Sequence, residues 1–308
     1  MATAAPPGPA VEVPRRFGYV AAFLTLRCNL HCPWCINRAG GRPPPRTEMS
    51  GRDWVRALNR LRCAPDLPVT LQGGEPSLHP DFLGILAGLR PDLPVDLLTN
   101  LQFDLDAFLA AVPPGRLRRD APYSSIRVSY HPGVMDLDDT RARVRRLLDR
   151  GYSVGLWAVR HPAHLEEVER ARAVCAADGI DFRFKEFLGL HEGRLHGLYK
   201  YPGAVSGRVG GPVECRTCEL IVGPDGAVHR CHADLYAGRV PVGHLLDPAF
   251  AIEDVFRPCD LFGRCNPCDV KVKTDRHQQS GHTSVEIRPV QNHVFTPRIV
   301  CSIIRPSM

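Results

Sequence analysis

Three cysteines stand close together near the amino terminus, in the stretch FLTLRCNLHCPWCINR. Cys28, Cys32 and Cys35 have the spacing C-x3-C-x2-C and follow an apolar run. Three thiolates in one tight loop can each bind one iron of a 4Fe–4S cluster, which leaves the fourth iron open to an outside ligand. A zinc site with His31 as fourth ligand is the alternative, together with simple buried thiols. The spacing favours the iron–sulfur cluster and leaves the alternatives open.

A second group of cysteines lies nearer the carboxyl terminus. Its members are Cys215, Cys218, Cys231, Cys259, Cys265 and Cys268. Two C-x2-C pairs, CRTC and CNPC, are typical of a four-thiolate zinc ribbon. A second iron–sulfur cluster is the rival interpretation. Disulfides are disfavoured in a reducing cytosol, so metal ligation or redox chemistry is the better explanation for the 12 cysteines of this chain.

The elements that position these cysteines follow from the apolar pattern. Helical patterns are predicted at about 50–62, 80–90, 104–112, 137–150 and 164–178. Buried strands are predicted at YVAAFLTL, PVTLQ, VDLLTN, SIRVSY, SVGLWAV and DFRFKEFL. This alternation predicts right-handed βαβ units and a parallel sheet, with the first cysteine motif directly after the first strand. Further along, LIVGPDGAVHRC predicts a hairpin and DPAFAIEDVF predicts a short helix.

Composition bounds the class of protein. The 308 residues are 44% hydrophobic, which is enough for a large core. The net charge of +6 is spread along the chain without a Lys/Arg block, so no nucleic-acid partner is expected. The chain shows no signal peptide and no apolar stretch of the roughly 20 residues that a membrane span requires. We therefore expect a cytoplasmic protein with no membrane partner.

From about residue 18 to 190 the chain resembles the radical SAM superfamily. The first motif has the superfamily form C-x3-C-x-aromatic-C, with Trp34 at the aromatic position, and QGGEP follows the next predicted strand. The resemblance implies an open parallel (β/α)6 partial barrel with a 4Fe–4S cluster on Cys28, Cys32 and Cys35. It also implies that S-adenosyl-L-methionine binds the open iron and yields a 5′-deoxyadenosyl radical that abstracts hydrogen from a C–H bond.

The same resemblance implies where S-adenosyl-L-methionine is bound. The QGGEP strand end would bind its amino group, with glycines for close backbone approach to the ligand. Later strand ends would contact its ribose and carboxylate. A turn cap for Asn100, a loop histidine for His131 and a surface salt bridge for Arg160 are the alternatives. The predicted cofactor-binding residues are Trp34, Gly73, Gly74, Glu75, Pro76, Asn100, Ser129, His131 and Arg160.

Two charged residues of the sixth strand, Lys185 and Glu186, are also of interest. Because side chains alternate along a strand, one of them should face the barrel interior and meet the substrate.

The second cysteine group resembles the SPASM/twitch type of auxiliary domain. Ten residues separate Cys215 from Gly226 and four separate Gly226 from Cys231, which is similar to the twitch hairpin. The resemblance implies a second, auxiliary 4Fe–4S cluster, with a zinc ribbon still open. The predicted ligands are Cys215, Cys231, Cys265 and Cys268. Of the cysteines left over, we expect Cys63, Cys175 and Cys301 to fill apolar core.

Cys259 is predicted to be catalytic, with Cys218 as an alternative ligand. A thiol hydrogen is weakly held, so a cysteine can return a hydrogen atom to a carbon radical and invert the centre. Radical SAM aminoglycoside epimerases are similar in size and cysteine layout, which suggests epimerisation of a small sugar-like natural product. The alternative role for Cys259 is that of another cluster ligand or structural cysteine.

Three other functions stay open at this point: a radical dehydrogenase, a peptide maturase, and a cluster- or zinc-binding protein without catalysis. A short amino-terminal arm and carboxyl-terminal tail favour a small-molecule substrate over a peptide. The expected partner is an external electron donor such as flavodoxin or ferredoxin.

The predicted organisation has five parts. His277, Gln278 and His282 would meet the substrate if the last part is an active-site lid. The parts are a disordered arm at 1–16, the radical SAM barrel at 17–190, a linker or active-site loop at 191–212, a small cysteine-rich twitch-like auxiliary-cluster domain at 213–270, and a C-terminal extension at 271–308.

Overall fold

The computed structural model describes residues 8–38 and 47–290. Its strands are β1 (Val11–Glu12), β2 (Tyr19–Thr25), β3 (Leu61–Arg62), β4 (Val69–Gly73), β5 (Val95–Thr99), β6 (Ile126–Tyr130), β7 (Val154–Arg160), β8 (Phe182–Glu186), β9 (Gly189–His191), β10 (Arg194–His196), β11 (Val213–Thr217), β12 (Glu219–Val222), β13 (Ala227–His229), β14 (Gly243–His244), β15 (Arg257–Cys259) and β16 (Val285–Pro289). Its α-helices are α1 (Gly51–Leu58), α2 (Phe82–Gly88), α3 (Leu105–Ala111), α4 (Leu137–Asp149), α5 (Leu165–Ala177), α6 (His232–Ala237) and α7 (Pro267–Val270).

The main sheet has the strand order β14-β13-β12-β2-β4-β5-β6-β7-β8. From β2 to β8 every neighbouring pair is parallel, and α1 to α5 lie between these strands in the chain. The predicted strands and helices of this part are all present, and the α/β fold with a mostly parallel sheet is confirmed. The strands are apolar because both faces are covered, as in β2, where all residues but the first are buried.

The cysteine-rich part joins this sheet directly. The predicted hairpin forms from β12 and β13, and β12 pairs in parallel with β2, Leu220 opposite Val20. The free edge of the buried strand β2 is thereby paired, which the sequence did not predict. The remaining strands β15, β11 and β16 form a separate antiparallel sheet.

The helix predicted in DPAFAIEDVF does not form. Residues 251–256 have no regular structure and lead into β15. Phe250 and Ile252 both pack against the main apolar core. Side chains two residues apart share a side only in an extended chain, so tertiary packing overrides the local helical pattern here. The segment after 190 also differs from a plain linker, since β9 and β10 form a hairpin.

Two of the cysteines that were predicted to fill apolar core do so. Cys175 is fully buried in the main apolar cluster, and the half-buried Cys63 packs against it. Cys301 lies outside the described residues, as do positions 1–7 of the predicted arm and positions 291–308 of the extension. None of the helices in the described ranges is long and apolar enough to cross a membrane.

Candidate active site

One cavity of about 310 Å³ lies where the parallel strands β2 to β8 end. Because parallel strands direct their carboxyl ends to one edge, residues far apart in the chain meet there. The cavity gathers three motif cysteines and most of the predicted cofactor-binding residues. These lining residues are Cys28, Cys32, Trp34, Cys35, Gly73, Gly74, Glu75, Asn100, Ser129 and His131.

The two glycines after β4 are needed for contact with the cysteine loop. A Cβ on Gly73 would lie 2.1 Å from the carbonyl oxygen of Thr25, and one on Gly74 would lie 2.2 Å from that of Arg27. The backbone N–H of Gly74 donates to Thr25 at 2.9 Å, and that of Glu75 donates to Arg27 at 2.8 Å. The close approach that the structure shows is to the backbone that leads into Cys28, and both glycines also line the cavity where their predicted contact with a ligand would be made.

Glu75 fixes the ends of two neighbouring strands. One carboxylate oxygen accepts hydrogen bonds from Ser77 N at 3.2 Å, Ser77 Oγ at 2.7 Å and Thr99 Oγ1 at 2.7 Å. The other accepts from Asn100 N at 2.7 Å. Burial raises the pKa of Glu75. A buried carboxylate with these donors positions β4 and β5 at the cavity, a structural role that the sequence had not assigned.

Asn100 both caps a turn and ties the cysteine loop to β5. Its Oδ1 accepts from Gln102 N at 2.9 Å, as the alternative interpretation predicts, and its Nδ2 donates to Asn29 Oδ1 at 2.7 Å. Nearby, His131 Nδ1 is buried without a hydrogen-bond partner in the described residues. Burial and the charge of Lys185 lower the pKa of His131 to about 4, so the ring is neutral at physiological pH.

Aromatic rings cover one side of the cavity. The ring of Trp34 lies 5.1 Å from that of His161 and 4.5 Å from that of His164, centroid to centroid. The β9–β10 hairpin adds His191, 4.8 Å from His161. His161 and His164 both directly follow β7, whereas His191 lies on β9, so no single sequence motif contains all three.

Two predicted cofactor contacts fall outside the cavity. Val159 lines it, whereas Arg160, the next residue of β7, points away because side chains alternate along a strand. Arg160 pairs with Glu169 at 3.2 Å and lies over the ring of Phe184, which matches the surface salt-bridge alternative. Pro76 is buried as the first residue of a short 3-10 helix and is not a lining residue.

The last strand and the cysteine-rich part supply cavity residues that no motif identified. At the end of β8 both Lys185 and Glu186 line the cavity, although alternation had predicted only one. Tyr236 of α6 donates to Asn37 Oδ1 at 2.7 Å, and Asn37 Nδ2 donates to the carbonyl of Gly73 at 3.2 Å. Helix α6 is thereby connected to the cysteine loop.

Four cysteines of the second group surround a separate small cavity of about 20 Å³. They are Cys215, Cys231, Cys259 and Cys265. Cys259 lies on β15 next to β11, which carries Cys215, and a hydrogen bond joins the two thiols. The guanidinium of Arg230 and the carboxylate of Asp269 also line this cavity.

Cys268 faces the other way. It lines the main cavity, whereas Cys265 and Asp269 line the small one, so α7 forms the wall between the two cavities. Cys218 lies apart from both, with its sulfur 3.1 Å from a guanidinium nitrogen of Arg16. The two cysteines thus stand where the other was expected. Cys259, predicted as the hydrogen-atom donor, lies with three predicted cluster ligands, whereas Cys268, predicted as a ligand, lines the main cavity.

The predicted lid residues lie at the opposite end of the sheet. His277, Gln278 and His282 do not line the cavity. Their neighbour Arg276 donates to the carbonyl of Phe17 at 3.1 Å, just before β2 begins. Arg276 and the neighbouring predicted lid residues therefore lie at the amino-terminal end of β2, away from the cysteine loop.

The three cysteines of the first motif fit an iron–sulfur cluster better than a single metal ion. The cysteines in the described ranges are free of disulfides. No three His, Cys, Asp or Glu side chains within those ranges are spaced to bind one metal ion. In a 4Fe–4S cluster each thiolate binds a different iron, so its ligands stand further apart than ligands of one zinc.

Comparisons with known proteins agree with this geometry. Residues 23–154 match the model of the radical SAM superfamily. A PqqA peptide cyclase of Methylorubrum populi is 37% identical over 81 residues, which are 26% of this chain and 21% of that protein. A probable GTP 3′,8-cyclase of Methanopyrus kandleri is 36% identical over 81 residues, 26% of each chain. A bovine (Bos taurus) molybdenum cofactor biosynthesis protein 1 is 34% identical over 77 residues, 25% of this chain and 12% of that protein.

Solved structures support the fold over a longer range. The anSMEcpe structure with bound AdoMet aligns with a TM-score of 0.52 at 12% identity, covering 78% of this chain and 76% of that one. The anSMEcpe complex with AdoMet and the Kp18Cys peptide gives a TM-score of 0.51 at 13% identity, covering 78% of each. This chain spans about a quarter or less of the three curated relatives named above. The cysteine loop and the ends of β4, β5 and β6 around it lie within residues 23–154, the part of this chain that matches the radical SAM superfamily.

Proposed function

We propose that the protein is a radical SAM enzyme that epimerises a small, sugar-like natural product, and that Cys268 returns the hydrogen atom. One observation carries this proposal. Of the six cysteines between 215 and 268, all of them in the described part of the chain, Cys268 alone lines the main cavity. A thiol there can reach a substrate bound beside the cysteine loop.

The first cysteine motif would hold the cofactors of this reaction. Cys28, Cys32 and Cys35 would bind a 4Fe–4S cluster, whose open iron would be taken by S-adenosyl-L-methionine. When bound, these groups supply a 5′-deoxyadenosyl radical. The protein's own contribution is a cavity whose walls include the aromatic rings of Trp34 and Trp157, which would limit the access of competing hydrogen donors.

The step assigned to Cys268 balances as follows. The S–H bond breaks, a C–H bond forms on the substrate carbon radical, and the sulfur becomes a thiyl radical. One electron from a flavodoxin- or ferredoxin-type donor and one proton from solvent restore the thiol, so the substrate itself neither gains nor loses electrons. Burial raises the pKa of Cys268, which keeps the thiol protonated and the hydrogen atom available.

The small cavity is our proposed auxiliary-cluster site. Its ligands would be Cys215, Cys231, Cys259 and Cys265, which replaces the ligand set predicted from the sequence. The guanidinium of Arg230 faces the four sulfurs and would offset their negative charge. Zinc on the same four thiolates is the alternative occupant.

A second candidate function is an oxidation, in which the substrate radical loses a proton and an electron. His232 favours it, because this side chain lines the main cavity and its Nδ1 lies 2.7 Å from Asp269 Oδ1. Such a dyad orients the imidazole as a base. A peptide substrate is the third candidate, since peptides appear in the names of some relatives.

The test combines iron counting with isotope incorporation. After anaerobic reconstitution, wild type and Cys268→Ala should both bind about eight irons per chain, whereas Cys259→Ala should lose about four. In deuterated water, wild type should place one solvent deuterium on an inverted carbon, and Cys268→Ala should still form 5′-deoxyadenosine without inversion. Loss of iron in Cys268→Ala, or inversion by that variant, refutes the assignment of the donor.

A further inference from the structure

Two lysines face the main cavity without a carboxylate partner. Lys185 at the end of β8 and Lys271, directly after α7, both line it. Among the described residues, no carboxylate forms an ion pair with either ammonium group. Lys273 shows the contrast, because it pairs with the carboxylate of Glu219 and donates to Ser284 Oγ at 2.6 Å.

The position of Lys185 disfavours its charged form. Burial and the charges of Arg127 and Lys271 lower its pKa to about 8, so it is mostly protonated at neutral pH but destabilised. Its neighbour His131 stays neutral and leaves Nδ1 without a partner in the described part of the chain. An ammonium group that is desolvated and has no counter-ion is strongly stabilised by an anionic ligand.

The acidic groups of the cavity do not meet this need. Glu75 is occupied by hydrogen bonds from Ser77, Thr99 and Asn100. Glu186 lies exposed and forms no ion pair with a described residue. With Glu186 as the one remaining carboxylate among the described residues that line the cavity, the two lysines still leave it with a net positive charge for a ligand to neutralise.

We propose that Lys185 and Lys271 form an anion subsite, so that the substrate carries a carboxylate or a phosphate group. This inference rests on the proposed function and names its substrate class. A polycationic aminoglycoside would place ammonium groups against these lysines, whereas a sugar acid or a sugar phosphate would pair with them. The expectation of a sugar-like substrate is thereby narrowed to an acidic one.

The carboxylate of S-adenosyl-L-methionine is the other possible source of the anion. The position of the lysines favours the substrate. Both interact electrostatically with Cys268, the proposed hydrogen donor, and they come from β8 and α7 rather than from the cysteine loop. A substrate anion held there would orient its carbon toward the Cys268 thiol.

Equilibrium binding without reductant tests the subsite apart from turnover. Calorimetric titration of the reconstituted holoenzyme, loaded with S-adenosyl-L-methionine, compares D-glucuronate, glucose 6-phosphate, glucose and glucosamine. We expect at least one of the two anionic probes to bind tenfold or more tightly than glucose and glucosamine. Lys185→Met should remove this preference, since a charged hydrogen bond contributes roughly tenfold to hundredfold in affinity. Lys185→Glu should reverse it in favour of glucosamine.

Controls separate this subsite from folding and from cofactor binding. Lys200→Met removes a lysine that lies over the ring of Tyr201, outside the cavity lining, and should change nothing. Lys185→Arg should keep the preference, and unchanged iron content and circular dichroism show that each variant folds. If Lys185→Met instead weakens S-adenosyl-L-methionine but not its decarboxylated analogue, the anion belongs to the cofactor and the inference is wrong.

Equal binding of all four probes, or no binding of either anionic probe, also overturns the proposed anion subsite. The proposed function fails by a different measurement. Solvent deuterium and 5′-deoxyadenosine report on the radical reaction, and neither enters the binding experiment.

Discussion

Replacing Gly74 by alanine tests whether the glycine motif supports the cysteine loop. The added Cβ would lie 2.2 Å from the carbonyl oxygen of Arg27 and 2.7 Å from that of Leu26. Real Cβ contacts are essentially never shorter than 3.0 Å, so the backbone leading into Cys28 must move by most of an ångström. The residue belongs to QGGEP, yet the predicted effect is on the neighbouring loop.

The expected cost has two parts. The Arg27 carbonyl accepts the hydrogen bond from Glu75 N at 2.8 Å, and its loss costs about 1 kcal/mol. Overpacking of rigid backbone adds roughly 1–3 kcal/mol. We therefore expect Gly74→Ala to lower the free energy of unfolding by about 2–4 kcal/mol.

The matched control is Gly84→Ala in α2. A Cβ at Gly84 would meet nothing within 4 Å, and the residue is exposed in a helix. Alanine there should stabilise the protein by about 0.5–1 kcal/mol. Urea unfolding of the apo protein measures both changes, and iron per chain after reconstitution reports on the loop. Unchanged stability and full iron content in Gly74→Ala would refute the reasoning.

Three further predictions concern buried charges and the connection between the two cysteine groups. Asp96→Ala removes the buried carboxylate whose Oδ1 lies 2.8 Å from Nε of Arg119. It should therefore lower the free energy of unfolding in urea by roughly 3–5 kcal/mol, and a change below about 1 kcal/mol contradicts this. Burial alone would raise the pKa of Glu219, but the charge of Lys273 holds that pKa below its ordinary value. The stability that this ion pair contributes is therefore present above about pH 5 and is lost as the pH falls through the lowered pKa. Urea titrations from pH 3 to 7 measure this, and Lys273→Met should flatten the dependence. Tyr236→Phe removes the hydrogen bond to Asn37. It should lower the free energy of unfolding by about 1 kcal/mol in urea and weaken S-adenosyl-L-methionine binding in calorimetry. Unchanged values in both measurements would contradict this prediction.

Much of the fold follows from local pattern. The six apolar segments and the helices between them specify a parallel sheet, because buried strands and amphipathic helices have different periods. The meeting of Cys28, Gly73 and Asn100 at one cavity follows as well, since each stands at the end of a parallel strand. A wrong prediction arose where packing prevailed, as with Phe250 and Ile252 in the extended segment before β15.

The sequence by itself determined that a three-cysteine motif ends the first strand and that glycines follow the next. Only the tertiary structure decided which later cysteines stand together. The sequence pattern favoured Cys268 as a ligand and Cys259 as the hydrogen donor, but β15 places Cys259 beside Cys215 and α7 turns Cys268 into the main cavity. Direction of a side chain from a short helix or an edge strand depends on what packs behind it. That is a long-range property, which spacing along the chain does not contain.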